Sequence, residues 1–193
     1  MSEIVLIKGD PSIVFRQIKD ALKDVRFFEK VRSGENVLLV LSDLAKNETS
    51  LILGQNLVTD EGDKHYAQRG AGESPTIAFD SMRLGNGGSA PIKSDSDVTT
   101  FVGTGLAIDG TYPKTNDGDA SNTGAGIDIV SWKSTWATGQ NNVQMQEGAI
   151  TDHPSTPTEA LCHFLFTQFT KTSSQTLAVF VNHEMLGVYC HLR

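Results

Sequence analysis

Residues Leu161 to Phe169 read Leu-Cys-His-Phe-Leu-Phe-Thr-Gln-Phe, a run with apolar side chains at both odd and even positions. Successive side chains of a strand point to opposite faces. A strand that is apolar on both faces is therefore expected between two packed layers. The polar stretch Thr170-Lys171-Thr172-Ser173-Ser174 follows as a turn. Leu177, Val179, Val181 and Met185 then alternate with Ala178, Phe180, Asn182 and Leu186. These two segments are expected to pair as antiparallel core strands. Ile127 to Ala137 is the clearest alternating strand. Val130, Trp132 and Trp136 share one face with Asp128 and Ser134, while Ile129, Ser131, Lys133 and Thr135 take the other. The two tryptophans stand about 13 Å apart along such a strand and can anchor either a core or a subunit contact. Long strands separated by Gly, Ser, Asn and Asp turns predict a mainly β fold, an antiparallel, jelly-roll-like β-sandwich. A small N-terminal α+β extension is expected beside it.

That extension begins with a short strand over Glu3 to Lys8. Asp10 can cap a helix whose first residue is Pro11. Val14, Ile18, Leu22 and Val25 recur at spacings of four, four and three, with Arg16, Lys19, Asp20 and Lys23 on the other faces. This pattern predicts an amphipathic helix of about three to four turns. A turn at 33–36 leads to the apolar run Val37–Leu41. A unit this small cannot bury both elements by itself, so its apolar stripe is expected to contact the rest of the chain or a neighbouring subunit. The ranges are 1–46 for a β-α-β assembly element, 47–75 for a linking strand and short helix, and 76–193 for the sandwich. In the linking range, Leu51 to Gly54 reads as a strand. Thr59 caps the helix, with Asp60 and Glu61 in its first turn. From Thr76 onward the pattern is β, with Ala78, Met82 and Leu84 on one face. Residues 93–126, rich in Gly, Asp, Thr and Ser, read as long loops around a strand at 106–112.

Chemistry is hard to find. A P-loop needs two glycines flanking four residues, then Lys and Ser or Thr; Gly103-Thr104-Gly105 does not supply this. There is no Gly-x-Ser-x-Gly elbow and no His-Glu-x-x-His pair. Asp117-Gly118-Asp119 begins like a calcium loop, but its glycine is misplaced and no bidentate Glu follows. Cys162 and Cys190, the two cysteines, lack CxxC spacing. His163 and His183 fall on predicted strands and are expected as hydrogen-bonded core or interface residues. Acidic pairs such as Asp128 with Glu147 or Glu159 cannot be placed in space, so a glycosidase dyad stays open. No catalytic, cofactor or metal residue is assigned. With a net charge of −7 and no Lys/Arg run beyond two residues, the chain is not expected to bind nucleic acid. Met1-Ser2-Glu3 is acidic where a signal peptide is basic, and Ile4–Ile7 is too short for its apolar core. No apolar stretch approaches the roughly 20 residues of a membrane span, so no membrane partner is expected.

Residues Gln55-Asn56-Leu57-Val58-Thr59-Asp60-Glu61-Gly62-Asp63-Lys64-His65-Tyr66-Ala67-Gln68 carry a resemblance. They resemble the N-L-V-T-D-x-G-D-x-x-Y-A-Q segment of a broad group of tailed-bacteriophage virion structural proteins. Phe79–Gly85, Tyr112–Asp119, Val130-Ser131-Trp132 and Phe169–Val179 are similar to later stretches of that group, and the resemblance spans about residues 50–188. It implies a non-enzymatic protein without cofactor, made in the bacterial cytoplasm and resident in the virion. The first expectation is a capsid decoration or cement protein, forming dimers or trimers and bound to the major capsid protein. The alternatives are a tail, collar or fibre-adaptor component, or a receptor- or carbohydrate-binding module in which Trp132 or Trp136 stacks on sugar. The candidate interface residues are Val14, Ile18, Leu22, Val25, Trp132 and Trp136.

Overall fold

The structure, a computed structural model, describes residues 4–8, 36–43, 45–115 and 129–185. The described chain is mainly β. Its elements are β1 (Ile4–Lys8), β2 (Val37–Asp43), β3 (Glu48–Val58), α1 (Asp60–Gly70), β4 (Ser81–Gly85), β5 (Leu106–Ala107), β6 (Lys114–Thr115), β7 (Ile129–Trp136), β8 (Gln144–Thr151), β9 (Ala160–Thr170) and β10 (Gln175–Glu184). All pairings are antiparallel. The strand order is β5-β4-β8-β9-β3-β2-β10-β7-β6, with β1 also paired to β3. The nine described strands of that order curl into a half-barrel. Near its ends, the Asp109 amide donates to the Lys133 carbonyl at 2.8 Å and Ser134 Oγ donates to the Ala107 carbonyl at 3.0 Å. The stretch around β5 is thereby tied to β7.

The long strand β3 explains much of this layout. Residues 48–52 pair with β1 and residues 54–58 pair with β9 along the same edge, while β2 occupies the other. Strand β2 is buried along its whole length, as a two-faced apolar run requires. Both β2 and β3 lie between β9 and β10, so strands from all three ranges read from the sequence share one sheet. The expected direct pairing of Leu161–Phe169 with Leu177–Leu186 is corrected. Strand β9 pairs with β3 and β8, and β10 pairs with β2 and β7. The polar link does not close a hairpin; it is drawn into the neighbouring loop instead. Lys171, 1% exposed, donates from Nζ to the Gln140 carbonyl at 2.7 Å and contacts Asn142 Oδ1 and the Thr172 carbonyl at 3.3 Å. A buried ammonium needs such oxygens around it, and those of Gln140 and Asn142 belong to the loop before β8.

The concave face holds the main core. Val37, Leu39 and Leu41 of β2, Leu177, Val179 and Val181 of β10, Trp132 and Trp136 of β7, and Phe164 and Phe166 of β9 meet there with Met82, Leu84 and Ile150. The alternation read for residues 129–136 holds, with Trp132, Ser134 and Trp136 all buried. On the convex face of β2 and β10, Leu38, Val40, Ala178 and Phe180 form a second cluster. Two expectations near β4 and β5 are corrected: Phe79 rather than Ala78 joins Met82 and Leu84, and the strand at 106–112 is limited to Leu106–Ala107.

Candidate functional site

The segment that carries the resemblance forms the end of β3 and the start of α1. Thr59 closes the helix as its N-cap: its Oγ1 accepts from the Gly62 amide at 3.1 Å, satisfying a donor that the first helical turn leaves unpaired. The same hydroxyl reaches the carbonyls of Ala160 and Leu161, and the Thr59 amide donates to the Leu161 carbonyl at 3.1 Å. The helix start is thus fastened to β9. Gly62 permits the close approach, because a β-carbon there would fall on the Leu161 carbonyl oxygen. Asp60, Glu61 and Asp63 sit in the first turn, where carboxylates complement the helix dipole. Asp63 also pairs with Lys93.

One turn further, Tyr66 enters a buried polar network. Its hydroxyl accepts from Trp132 Nε1 at 3.0 Å and lies 2.5 Å from His183 Nδ1. His183 Nε2 lies 2.5 Å from Asn56 Nδ2. Asn36 Nδ2 donates to Asn56 Oδ1, and Asn36 Oδ1 accepts from the Asn56 amide at 3.0 Å. Because Asn56 Nδ2 is a donor, a neutral His183 accepts at Nε2 and donates from Nδ1 to Tyr66. Burial keeps it neutral by lowering its pKa to about 3. Burial also raises the Tyr66 pKa and pushes the Cys162 thiol up to about 12. A buried thiol of this kind is inert, and an imidazole with both nitrogens engaged is no ready base. The network suits holding α1 against β3, β7 and β10.

A second cluster lies on the other face of β9. His163 Nδ1 is 2.7 Å from Asp95 Oδ2, and its Nε2 is 3.0 Å from Glu147 Oε2. Glu147 accepts in addition from the amides of Gly87 at 2.7 Å, Thr100 at 2.8 Å and Thr99 at 3.0 Å. Burial opposes its charge, but the His163 bond and these three amides prevail and lower its pKa to about 2. Burial likewise opposes a charged His163, and the two carboxylates outweigh it, so its pKa is raised. Beside this cluster, Arg83 Nε donates to Asp97 at 2.8 Å, and its guanidinium carbon stands 3.6 Å above the Phe101 ring centre.

The expected histidines are therefore buried and hydrogen-bonded, as read from the sequence. Trp132 and Trp136 require a correction as interface residues. They are 2% and 0% exposed, because their strand face is the concave core, and their indole nitrogens donate to Tyr66 and to the Thr104 carbonyl. Val14, Ile18, Leu22 and Val25 lie outside the described residues, as do Asp117, Asp119, Asp128 and Cys190. Sequence reasoning missed Glu147 as the anchor of a loop and Asn56 as the centre of a network. The visible signal for Glu147 was a carboxylate beside Gly148-Ala149-Ile150. Among the described residues, no group of three His, Cys, Asp or Glu side chains is arranged to hold a metal, and no helix is long and apolar enough to cross a membrane. Comparisons with protein-family models, with curated proteins and with solved structures find no match.

Proposed function

We propose that this chain is a non-enzymatic structural protein of a tailed-phage virion, a capsid decoration or cement protein that binds neighbouring capsid proteins and other copies of itself. The observation that carries the reading is the role of the resemblance-bearing segment. Asn56, Thr59, Gly62 and Tyr66 fasten a helix to the sheet, so the residues held in common with that group are fold-forming ones. In the sandwich-like reading of the fold, β5-β4-β8-β9 and β3-β2-β10-β7-β6 act as two layers facing across the shared core. Many weak, symmetric contacts give such a protein avidity on a particle. The stripe Val14, Ile18, Leu22 and Val25 is the proposed contact to another copy, giving dimers or trimers.

The second reading is a tail, collar or fibre-adaptor component, which shares the same structural requirements. The carbohydrate-binding alternative depended on a solvent-facing Trp132 or Trp136, and both side chains are buried. Cosedimentation of the purified protein with separated heads and tails of the phage tests the proposal. Saturable binding to heads supports decoration, and binding to tails alone supports the second reading. Binding to neither rejects both.

A further inference from the structure

The loop from Asn86 to Phe101 covers the outer face of β8 and β9. Val98 packs with Ala149 and Ala160 on that face. The loop also carries Ile92 and Phe101, 57% and 37% exposed, the exposed large apolar residues of the described chain. It is tied down through two carboxylates that meet at one imidazole. Asp95 belongs to the loop, while Glu147 belongs to β8 and binds the loop amides of Gly87, Thr99 and Thr100. His163 of β9 stands between them.

The protonation state follows from geometry. An ionised carboxylate accepts hydrogen bonds only, and a neutral imidazole has one N–H and one lone pair. Two carboxylate oxygens at 2.7 and 3.0 Å from the two ring nitrogens need two N–H donors. We propose that His163 is a protonated latch fastening the 86–101 loop to the outer face of β8 and β9, and that loss of one ring proton frees the Asp95 arm of that loop.

The arms differ in strength. Glu147 is fully buried and fixed by three amides, so it retains the remaining N–H at Nε2. Asp95 sits at the rim with its side chain 22% exposed. After deprotonation its oxygen would face a lone pair at Nδ1, and it can turn to water. Asp95 Oδ2 also accepts from the Ile92 amide at 2.8 Å, and the Asp95 amide donates to the Ile92 carbonyl at 3.1 Å. Release of Asp95 therefore loosens the turn that presents Ile92. The other charges around the latch are paired: Arg83 of β4 with Asp97 of the loop, across Ala149 from His163, and Lys93 of the loop with Asp63 of α1 at the exposed rim. The raised pKa of His163 agrees with this arrangement. The sign is fixed by it: the latch is complete below the ordinary histidine value of 6.5 and is lost as pH rises through the higher folded value.

The test is NMR of the full chain with labelled histidine, together with amide-exchange protection factors across the same pH series. His163 is expected to titrate above 6.5. The Ile92 amide should lose about tenfold or more in protection across that midpoint, while Thr99 and Thr100, held by Glu147, keep theirs. In Asp95→Asn, which leaves the buried Glu147 in place, the midpoint should fall and the step at Ile92 should vanish. A His163 midpoint at or below 6.5 in the parent overturns the proposal. So does Ile92 protection indifferent to that titration, or an unchanged midpoint in Asp95→Asn.

Discussion

Gly62 lies so close to the backbone of Leu161 that a β-carbon on it would overlap the carbonyl oxygen and stand 2.7 Å from a Val58 methyl. Helix α1 is therefore held against β9 at a distance only glycine allows. Gly62→Ala should lower stability by about 1–3 kcal/mol, the range for overpacking. Gly70→Ala, where a β-carbon meets nothing within 4 Å, should be neutral or stabilising by about 0.4–1 kcal/mol. Urea denaturation of the two variants checks the contrast, and equal effects would remove the close contact from the account.

Phe164 is fully buried in the concave core, and Phe166 is nearly so. Phe164→Ala should cost about 3–5 kcal/mol, from lost burial plus the cavity left behind. Gln168→Ala, on the exposed part of the same strand, should stay within about 0.5 kcal/mol of the parent. Thermal melts of both report directly on which positions of β9 face inward.

Tyr66→Phe removes the oxygen that Trp132 Nε1 and His183 Nδ1 share. Each orphaned buried donor costs about 1–3 kcal/mol. The variant should fold with lower stability than its one missing atom suggests. An unchanged denaturation midpoint would mean that neither donor depends on the tyrosine.

Glu147 gives the acid limb of the stability curve a defined origin. Its folded pKa of about 2 lies below the ordinary 4.5. Its contribution is therefore full above 4.5 and lost as pH falls toward 2. Glu147→Gln should lower stability by about 1–3 kcal/mol at neutral pH, because it removes one of the two carboxylates at the buried His163 and the charge on which three loop amides converge. It should also flatten the fall in melting temperature between those two pH values. A parallel acid limb in parent and variant would assign that limb to other carboxylates.

The sequence disclosed the elements better than their arrangement. The Thr59 cap, the two-sided alternation over residues 129–136 and the two-faced runs at 37–41 and 161–169 are local patterns, and local patterns set local structure; which face of Trp132 and Trp136 would be covered was not among them. The separation of β9 from β10 was not legible. Nothing in a five-residue polar turn discloses that two earlier strands will insert between its neighbours. Strand β8 was missed for a related reason. Gln144-Met145-Gln146-Glu147-Gly148 carries a carboxylate and a glycine where a core strand is expected to be apolar, and both are explained only by contacts distant in sequence. Glu147 meets His163 and the loop amides, and a β-carbon on Gly148 would strike the Phe164 ring. The polar residues of the 55–68 segment were legible as a resemblance but not as a network, because Asn36, Trp132 and His183 come from distant strands.

Copy number in purified particles decides whether the chain is a virion component and where it sits. Under the proposed function a tailed phage encodes this chain; its virions would be purified and the chain quantified by mass spectrometry against the major capsid protein. A decoration protein should be present in hundreds of copies per particle, in a fixed ratio to the capsid protein. A few to dozens of copies would move it to the tail or collar. Absence from the particle would contradict the claim that it is a virion protein.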